Sequence, residues 1–333
     1  MRILVTGGAG FLGSNLCRRL LKEGHTVVCL DNLYTGRKEN IQDLLNLQNF
    51  KFVEADIVNG IDLDEGFDWV FNLACPASPP AYQKDPLYTI MVNVIGVFNV
   101  CEFALKKGAR VFHTSTSEVY GDPEVIPQNE SYKGSVNTIG IRACYDEGKR
   151  CAETILSDYK RSKGLEIKIV RVFNTYGPYM SSDDGRVITN FVTQALKGEP
   201  ITIYGDGSQT RSFCYVDDQI DAWMKFIQTD STVTGPMNVG MPSEISVLDV
   251  AYLILKMTNS QSQIIFKNLP EDDPKRRLPD ISFATITRRS LYLPKPVKPN
   301  KPGGLSTIFQ TPLSNEVKYR LFGSRGEEKS PIA

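Results

Sequence analysis

The chain has 333 residues, 41% of them apolar, and equal numbers of basic and acidic side chains, 38 of each. A chain of this length can bury a large core in one or two domains, and its balanced charge gives no reason to expect bulk attraction to nucleic acid or to an anionic membrane. The 7 cysteines form no CxxC pair and there are only 2 histidines, which argues against a disulfide framework and against a bound metal.

Residues 1–31 predict a strand, a glycine turn, a helix and a second strand. Gly7 allows the sharp turn, Gly10 lets backbone N–H groups approach a pyrophosphate, and Gly13 lets the helix pack against the strand. Asp31 ends the second strand, where its carboxylate would bind a ribose 2′-OH and repel a 2′-phosphate. The pattern therefore predicts a dinucleotide site that favours NAD over NADP.

Strands alternate with helices along the following part of the chain. Apolar runs predict strands at 51–55, 67–73 and 109–115 and a long helix at 89–107, whereas the Pro- and Ala-rich segment 74–86 is predicted to be irregular. This alternation is typical of an α/β fold, a Rossmann-type doubly wound parallel sheet with its ligand at the carboxyl ends of the strands.

The strand predicted at 109–115 ends in hydroxyl side chains, and an acidic side chain follows them. Ser115 is expected to cap the strand end, while the position beside the cofactor favours a chemical role for Thr116 and Glu118. Loops and strand ends that face a ligand commonly carry such residues.

Tyr145 and Lys149 are four residues apart on a helix predicted from residue 144 to about residue 160, and so lie on one face. A phenol has a pKa of about 10, so a nearby ammonium group is expected to favour the phenolate. The same lysine can hold the nicotinamide ribose. Together with the dinucleotide pattern, the pair predicts hydride transfer, although an isolated pair at this spacing is usually a solvated surface feature.

Over about residues 1–282 the chain resembles the extended short-chain dehydrogenase/reductase family, and within it the UDP-glucuronate decarboxylases. The motifs that carry the resemblance are ACPASPP at 74–80, STSEVYGDP at 115–123, RACYDEGKR at 142–150, RVFNTYGP at 171–178, DDGRV at 183–187 and YGDGSQTRSF at 204–213. Related 4,6-dehydratases typically carry Thr-Asp-Glu where this chain has Thr116-Ser117-Glu118, and simple 4-epimerases usually lack the glutamate. Ser117 followed by Glu118 therefore resembles the decarboxylating branch.

The resemblance implies NAD-dependent decarboxylation of UDP-glucuronate, or a related nucleotide sugar, to UDP-xylose through a 4-keto intermediate, with bound NAD recycled. The implied catalytic residues are Thr116, Ser117, Glu118, Tyr145 and Lys149. A UDP-sugar 4-epimerase, a nucleotide-sugar 4,6-dehydratase and a non-catalytic NAD-binding sensor remain open. The sensor is considered because Met91 stands where related decarboxylases commonly carry lysine, and because the sequence beyond residue 282 diverges.

The resemblance and the strand ends also select binding residues. Expected cofactor-binding residues are Gly7, Gly10, Phe11, Leu12, Gly13, Asp31, Asn32, Thr35, Gly36, Asp56, Ile57, Leu73, Cys75, Asn93, Tyr145, Lys149 and Thr175. Expected substrate-binding residues are Asn174, Arg186, Tyr204, Arg211 and Arg277. Arginines are the usual partners of a diphosphate, and Arg211 follows a glycine turn, where an exposed head group is expected. Arg277 is the candidate to hold the substrate carboxylate, the alternative being a solvated cluster of Lys275, Arg276 and Arg277.

The resemblance divides the chain into an NAD-binding Rossmann domain at 1–176, to which 213–235 returns, and a smaller C-terminal substrate-binding domain at 177–310. The polar segment 311–333 predicts a flexible tail. A homodimer is expected through apolar helix faces, because soluble oligomers most often have two-fold symmetry. No apolar run resembles a membrane span and the first strand starts at the first residue, so a cytoplasmic protein is expected, without nucleic acid or membrane partners.

Overall fold

The computed structural model describes residues 1–268 and 276–286. Its strands are β1 Arg2–Thr6, β2 Thr26–Asp31, β3 Phe50–Glu54, β4 Trp69–Asn72, β5 Arg110–Thr116, β6 Ile167–Val172, β7 Thr175–Tyr176, β8 Ile201–Tyr204, β9 Thr210–Arg211, β10 Cys214–Tyr215, β11 Met237–Val239, β12 Ile245–Ser246, β13 Ile264–Lys267 and β14 Arg276–Arg277. Its α-helices are α1 Phe11–Lys22, α2 Pro79–Lys84, α3 Pro86–Met91, α4 Val97–Lys107, α5 Ala143–Lys163, α6 Val187–Lys197, α7 Val216–Phe226, α8 Val247–Thr258 and α9 Ser282–Ile286.

Seven strands form the central sheet in the order β11-β6-β5-β4-β1-β2-β3, and every neighbouring pair is parallel. Strands such as β1 and β4 are short apolar runs buried on both faces, as expected when helices cover both sides of a parallel sheet. Leu16 of α1 and Trp223 of α7 belong to the core on one face, and Val100 of α4 and Leu156 of α5 belong to the core on the other. The predicted doubly wound fold is confirmed.

The prediction that 74–86 is irregular is wrong, because this segment contains helix α2. Pro79 and Pro80 occupy its first turn, where a helix needs no N–H donor, so prolines start the helix instead of preventing it. The helix predicted at 89–107 starts earlier, at α3, where Asp85 accepts a hydrogen bond from the Tyr88 N–H at 2.9 Å. It passes through a π-helical turn at Val92–Gly96 before continuing as α4.

The continuous helix Pro86–Lys107 is long and apolar enough to cross a membrane by length and composition. The prediction that no apolar run resembles a membrane span is therefore wrong. Half of the apolar window is buried inside the protein, and a core helix passes the same test, so the finding is weak evidence for a membrane location.

A second, smaller core lies beside the sheet. It contains apolar side chains of α6, β8 and α8, including Phe191, Ile203 and Ile254. Between these elements the chain returns to the large sheet, since α7 packs on its core and β11 pairs with β6. The exact domain boundaries remain a prediction, and the tail predicted at 311–333 lies outside the described residues.

Candidate active site

The glycine turn between β1 and α1 depends on one positive φ and one close approach. Gly7 has a positive φ of +68°, which favours glycine. A Cβ added to Gly13 would lie 2.1 Å from the carbonyl oxygen of Gly7, so any side chain there would push α1 away from the turn. The N-terminus of α1 therefore faces the carboxyl end of β1, the arrangement that binds a diphosphate.

Asp31 joins the turn to the end of β2. Its carboxylate accepts hydrogen bonds from the N–H groups of Ala9, at 2.9 Å, and Leu33, at 2.8 Å. Burial raises the pKa of Asp31, and the backbone N–H donors oppose this rise. A Cβ on Gly36 would lie 2.6 Å from the carboxylate, so the loop after β2 closes over it. Asp31 is thus fixed at the strand end where the sequence places the ribose.

A polar triad follows along the same edge of the sheet. Asn32 Nδ2 donates to Asp56 at 3.0 Å and to the Tyr88 hydroxyl at 2.5 Å, and that hydroxyl donates to Asp56 at 2.7 Å. Tyr88 also pairs with Tyr34, with ring centroids 5.0 Å apart. Sequence reasoning missed Tyr88, because it arrives from α3 and no local motif marks it.

Tyr145 and Lys149 face the sheet from the first turns of α5. The Tyr145 ring stacks on Tyr82 of α2, with centroids 5.0 Å apart and planes inclined by 6°. Lys149 Nζ donates to the carbonyl oxygen of Thr114 at 2.9 Å and lies 6.0 Å from the centre of the Tyr145 ring. The predicted pair is therefore anchored at the carboxyl end of β5.

Burial raises the pKa of Tyr145 well above its ordinary value, while the Thr116 hydroxyl and the charge of Arg186 oppose this rise. Burial likewise lowers the pKa of Lys149. The sequence assigned the role of favouring the phenolate to the Lys149 ammonium. The structure adds a second cation, since the charge of Arg186, from the DDGRV motif, also favours the phenolate of Tyr145.

Glu118, in the 3-10 turn that follows β5, lies between Arg142, whose side chain is 16% exposed, and the buried Arg277. Its carboxylate accepts from Arg142 Nη2 at 2.5 Å, from Arg277 Nη2 at 2.9 Å and from Arg277 Nε at 3.3 Å. Burial alone would raise the pKa of Glu118, but Arg277 and Arg142 outweigh it and hold the pKa at about 2. Glu118 is therefore a carboxylate held in a fixed orientation.

Arg277 is the arginine that faces the site. Its side chain is 3% exposed and also donates to the carbonyl oxygen of Gly121 at 2.6 Å, whereas the Arg276 side chain is 46% exposed and pairs with Glu244. A solvated arginine cluster is therefore excluded for Arg277. Lys275 lies outside the described residues.

Asp146 and Tyr82 add polar atoms near this cluster. Burial, and next the charge of Glu118, raise the pKa of Asp146 to about 7. Within residues 1–268 and 276–286, Asp146 Oδ1 and the Tyr82 hydroxyl are buried without a hydrogen-bond partner. Sequence reasoning missed Arg142 and Asp146. Arg142 lies three residues before Tyr145 and so on its face of the helix, whereas the helix period does not connect Asp146 with that face.

The other expected substrate residues are spread over the smaller core and its boundary. Arg186 forms a paired contact with Asp184, Nη2 to Oδ2 at 2.7 Å. Arg211 is 8% exposed, so the expected exposed head group is wrong, and it lies opposite Arg277 in the pairing of β9 with β14. Tyr204 is 41% exposed on a separate two-stranded sheet of β13 and β8.

The model of the NAD dependent epimerase/dehydratase family matches residues 3–240. The chain belongs to this family. It is 49% identical over its full length to UDP-glucuronic acid decarboxylase 2 of Arabidopsis thaliana, covering 72% of that protein. It is 46% identical over 96% of its length to UDP-glucuronic acid decarboxylase 1 of Danio rerio, covering 74% of it.

Solved structures agree with this family assignment. UDP-glucuronic acid 4-epimerase from Bacillus cereus, in complex with UDP-glucuronic acid and NAD, superposes with a TM-score of 0.78 at 30% identity. The match covers 87% of this chain and 93% of that one. Thermus thermophilus UDP-glucose 4-epimerase, in complex with NAD, has a TM-score of 0.76 at 26% identity over 88% of this chain and 94% of that one.

The residues of this epimerase/dehydratase-family site fit a dinucleotide. The close approach of Gly13 to Gly7 leaves the turn free of side chains, and the Asp31 carboxylate is fixed at the end of β2. Asn93 Nδ2 donates to Cys75 Sγ at 3.2 Å, while its Oδ1 is buried without a partner among the described residues. Among residues 1–268 and 276–286, no group of three or more His, Cys, Asp or Glu side chains could hold a metal ion.

The structure brings one group of predicted residues together and spreads another along the sheet. Thr116, Glu118, Tyr145, Lys149, Arg186 and Arg277 share one site. Ser117 is buried beside them in the same 3-10 turn. The remaining predicted cofactor residues follow the strand ends or line the helices that face them: Gly10, Phe11 and Leu12 before and in α1, Thr35 after β2, Ile57 after β3, Leu73 and Cys75 after β4, Asn93 in the π-helical turn, and Asn174 and Thr175 after β6.

Proposed function

We propose that this chain is an NAD-dependent UDP-glucuronate decarboxylase that forms UDP-xylose. The decarboxylases of Arabidopsis thaliana and Danio rerio support this at 49% and 46% identity. The observation that carries the proposal is the Glu118 carboxylate, held by Arg142 and Arg277 in the site that also contains Tyr145. The base Tyr145 would act at C4 of the sugar. The fixed Glu118 carboxylate and the buried Arg277 beside it would act at C5 and at the carboxylate that C5 carries.

Tyr145 is the base for the first step. As the phenolate, it takes the proton of the sugar 4-OH and becomes the phenol, assisted by the Thr116 hydroxyl, and the charge of Arg186 favours the phenolate from which the step starts. NAD, when bound, supplies the reversible oxidation and reduction at C4. Lys149, held by the Thr114 carbonyl oxygen at 2.9 Å, would hold the nicotinamide ribose.

Loss of CO₂ then follows from the substrate itself, because a 4-keto glucuronate is a β-keto acid. The electrons of the broken C5–C6 bond delocalise onto the 4-ketone. Arg277 would orient the substrate carboxylate, and Glu118, fixed by its two arginines, would orient the ring at C5. Tyr145 finally returns its proton to the C4 oxygen when the ketone is reduced.

NAD is the proposed cofactor in preference to NADP. The Asp31 carboxylate is fixed at the ribose end of the turn by two backbone N–H donors. It would accept hydrogen bonds from a 2′-OH and repel a 2′-phosphate. The Asn32, Asp56 and Tyr88 triad would lie next to the adenine.

The test is incubation with UDP-glucuronate labelled with ¹³C at C6, with NAD⁺ added, followed by mass analysis of the nucleotide sugar and of the released gas. Labelled CO₂ with UDP-xylose supports the proposal. A product of unchanged mass with inverted C4 identifies a 4-epimerase, the activity named for the Bacillus cereus structure. A 4,6-dehydratase would instead release water from UDP-glucose, which carries the 6-hydroxyl that UDP-glucuronate lacks, and bound NAD without any product from either sugar identifies a sensor.

We also propose that the protein is a homodimer. Five exposed apolar side chains form one stripe along the helix Pro86–Lys107: Leu87, Ile90, Met91, Ile95 and Phe98. Spacings of three and four residues place them on one face, and Ile139 and Ile141, just before α5, are exposed as well. An apolar face of this size beside α5 fits a second copy of the chain. Met91, which stands at the position of a lysine in related decarboxylases, belongs to this stripe.

A further inference from the structure

The edge with which Arg277 pairs with a carboxylate is occupied in this structure. Its Nη2 donates to Glu118 Oε2 at 2.9 Å and its Nε donates to Glu118 Oε1 at 3.3 Å, so two oxygens meet the two nitrogens of one edge. Nη1 donates to the carbonyl oxygen of Gly121 at 2.6 Å. Two parallel N–H···O contacts are the arrangement in which a guanidinium group recognises a carboxylate. Glu118 therefore stands where a substrate carboxylate would pair with Arg277.

Under the proposed function, on which this inference rests, Arg277 orients the carboxylate of UDP-glucuronate. It cannot pair with both carboxylates through the same edge. The Arg277 side chain is 3% exposed, and two carboxylates on one buried guanidinium group would leave a negative charge without compensation, which is costly. Glu118 must therefore leave Arg277 when the substrate binds, and it needs a second cation to remain in the site.

Arg142 is that second cation. Its Nη2 donates to Oε2 of Glu118 at 2.5 Å, and each of these two side chains is 16% exposed. Arg142 approaches Glu118 from the start of α5, whereas Arg277 approaches from β14, so one contact can break while the other remains. The carbonyl oxygen of Arg142 also accepts the N–H of Tyr145 at 3.0 Å. The residue at the start of the helix that carries the base thus also holds Glu118.

The charges of these three side chains fit an incoming carboxylate. Two guanidinium groups and one carboxylate carry a net positive charge in the free protein. A carboxylate on the substrate neutralises this charge and gives each guanidinium group one carboxylate partner. The CO₂ that leaves is uncharged, so its departure frees Arg277 to pair with Glu118 again.

We propose that Arg142 is a positioning residue that retains Glu118 while the substrate carboxylate replaces Glu118 on the Nε–Nη2 edge of Arg277. In the free protein Glu118 holds this edge in place of the substrate. In the complex it stays on Arg142, and the short link from Arg142 to Tyr145 keeps the groups at C5 and C4 in register. This exchange selects sugars with a carboxylate on C5, because a neutral group cannot replace the charge of Glu118 on Arg277.

Crystal structures of Tyr145→Phe with NAD and either UDP-glucuronate or UDP-xylose test the exchange directly. Loss of the base slows turnover, so the intact acid can be captured. With UDP-glucuronate, the substrate carboxylate should contact Nε and Nη2 of Arg277, and Glu118 should contact Arg142 alone. With UDP-xylose, both arginines should contact Glu118, as they do in the free protein. A UDP-glucuronate complex in which Glu118 keeps Arg277, or in which Arg142 binds the substrate carboxylate, refutes the proposal.

Calorimetric titration measures how much Arg142 contributes to selectivity. In the Tyr145→Phe background, Arg142→Met should raise the Kd for UDP-glucuronate at least about 10-fold, the scale of one charge-assisted hydrogen bond, because Glu118 then competes for Arg277. The Kd for UDP-xylose should hardly change, since this sugar has no carboxylate to exchange. Arg142→Lys keeps a positive charge and should restore most of the preference. Arg161→Met, which removes an exposed arginine near the end of the same helix, should leave both Kd values unchanged.

Turnover gives a second readout with Tyr145 in place. Arg142→Met should lower the kcat for release of labelled CO₂ at least about 10-fold, the scale of a misplaced group, because Glu118 has lost the contact that fixes it in the complex. Arg142→Lys should recover part of this loss.

A purely structural role of Arg142 gives a different result. It predicts a lower melting temperature in Arg142→Met with an unchanged ratio of the two Kd values, and that outcome refutes the proposal. If Arg142→Met does not fold, the two Tyr145→Phe structures decide. A wild type that shows the exchange but releases no CO₂ refutes decarboxylation and leaves the exchange standing, so the two failures are distinguishable.

Discussion

Replacing Glu118 with glutamine should destabilise the protein in a pH-dependent manner. The side chain keeps its size, but the guanidinium groups of the partly buried Arg142 and the buried Arg277 lose the carboxylate that they contact. Removing one partner from a buried ion pair is costly because it leaves an uncompensated charge. Arg277 keeps its bond to the Gly121 carbonyl oxygen at 2.6 Å, so part of its hydrogen bonding survives.

The size of the loss follows from the pKa of Glu118. A pKa held at about 2 in place of the ordinary 4.5 corresponds to about 3 kcal/mol in favour of the charged form in the folded state. Because the folded-state pKa lies below the unfolded value, this stabilisation is complete well above the unfolded pKa and is lost as pH falls toward the folded pKa. The difference between wild type and Glu118→Gln should therefore be about 3 kcal/mol at neutral pH and about 1 kcal/mol smaller at about pH 4.

Urea unfolding followed by circular dichroism measures this difference, because urea, unlike guanidinium chloride, does not screen ion pairs. Glu124→Gln, an exposed glutamate in the loop after the same turn, is the matched control and should unfold at the wild-type midpoint. Equal midpoints for Glu118→Gln and the wild type at neutral pH would refute the assigned ion-pair cluster. A loss that did not shrink on acidification would show that packing, and not charge, carries the effect.

Other substitutions test the remaining assignments. Tyr145→Phe should lower CO₂ release by about 10² to 10⁴, the contribution of a positioned general base; an unchanged rate in the labelled-CO₂ assay would remove Tyr145 from the mechanism. Asp31→Ala should weaken NAD binding and reduce the preference over NADP in calorimetric titration, whereas equal wild-type affinities would show that the carboxylate does not face the ribose. Phe98→Glu should convert the dimer to monomers in sedimentation equilibrium, and a wild type that is monomeric at micromolar concentration would contradict the proposed interface. Arg277→Ala should abolish UDP-xylose formation while Arg276→Ala, whose side chain is half exposed, should retain it; equal effects would mean that the two arginines are not distinguished by burial.

The family resemblance supplied expectations that local patterns alone do not contain. The resemblance selects Arg277 from three consecutive basic residues, and the structure shows that Arg277 is buried whereas Arg276 is not. Arg211 shows the limit of position-based reasoning. A glycine turn before it predicted an exposed head group, but the pairing of β9 with β14 buries it.

The sequence by itself determined the features that depend on neighbours along the chain. The glycine turn, Asp31 at a strand end and the four-residue spacing of Tyr145 and Lys149 are local, because each depends on one turn, strand or helix period. Together with the alternation of strands and helices, they predict the parallel sheet, the dinucleotide site and the base.

Only the tertiary structure decided the electrostatics of the site. Glu118 and Arg277 are separated by 159 positions, and no periodicity connects them. The contact of Arg277 with Glu118 requires β14 to pair with β9. The contact of Arg142 with the same carboxylate requires α5 to pack against β5. The charge states of Glu118 and Asp146 follow from that burial, since a pKa depends on which groups exclude water and which charges come close in space, and not on their order in the chain.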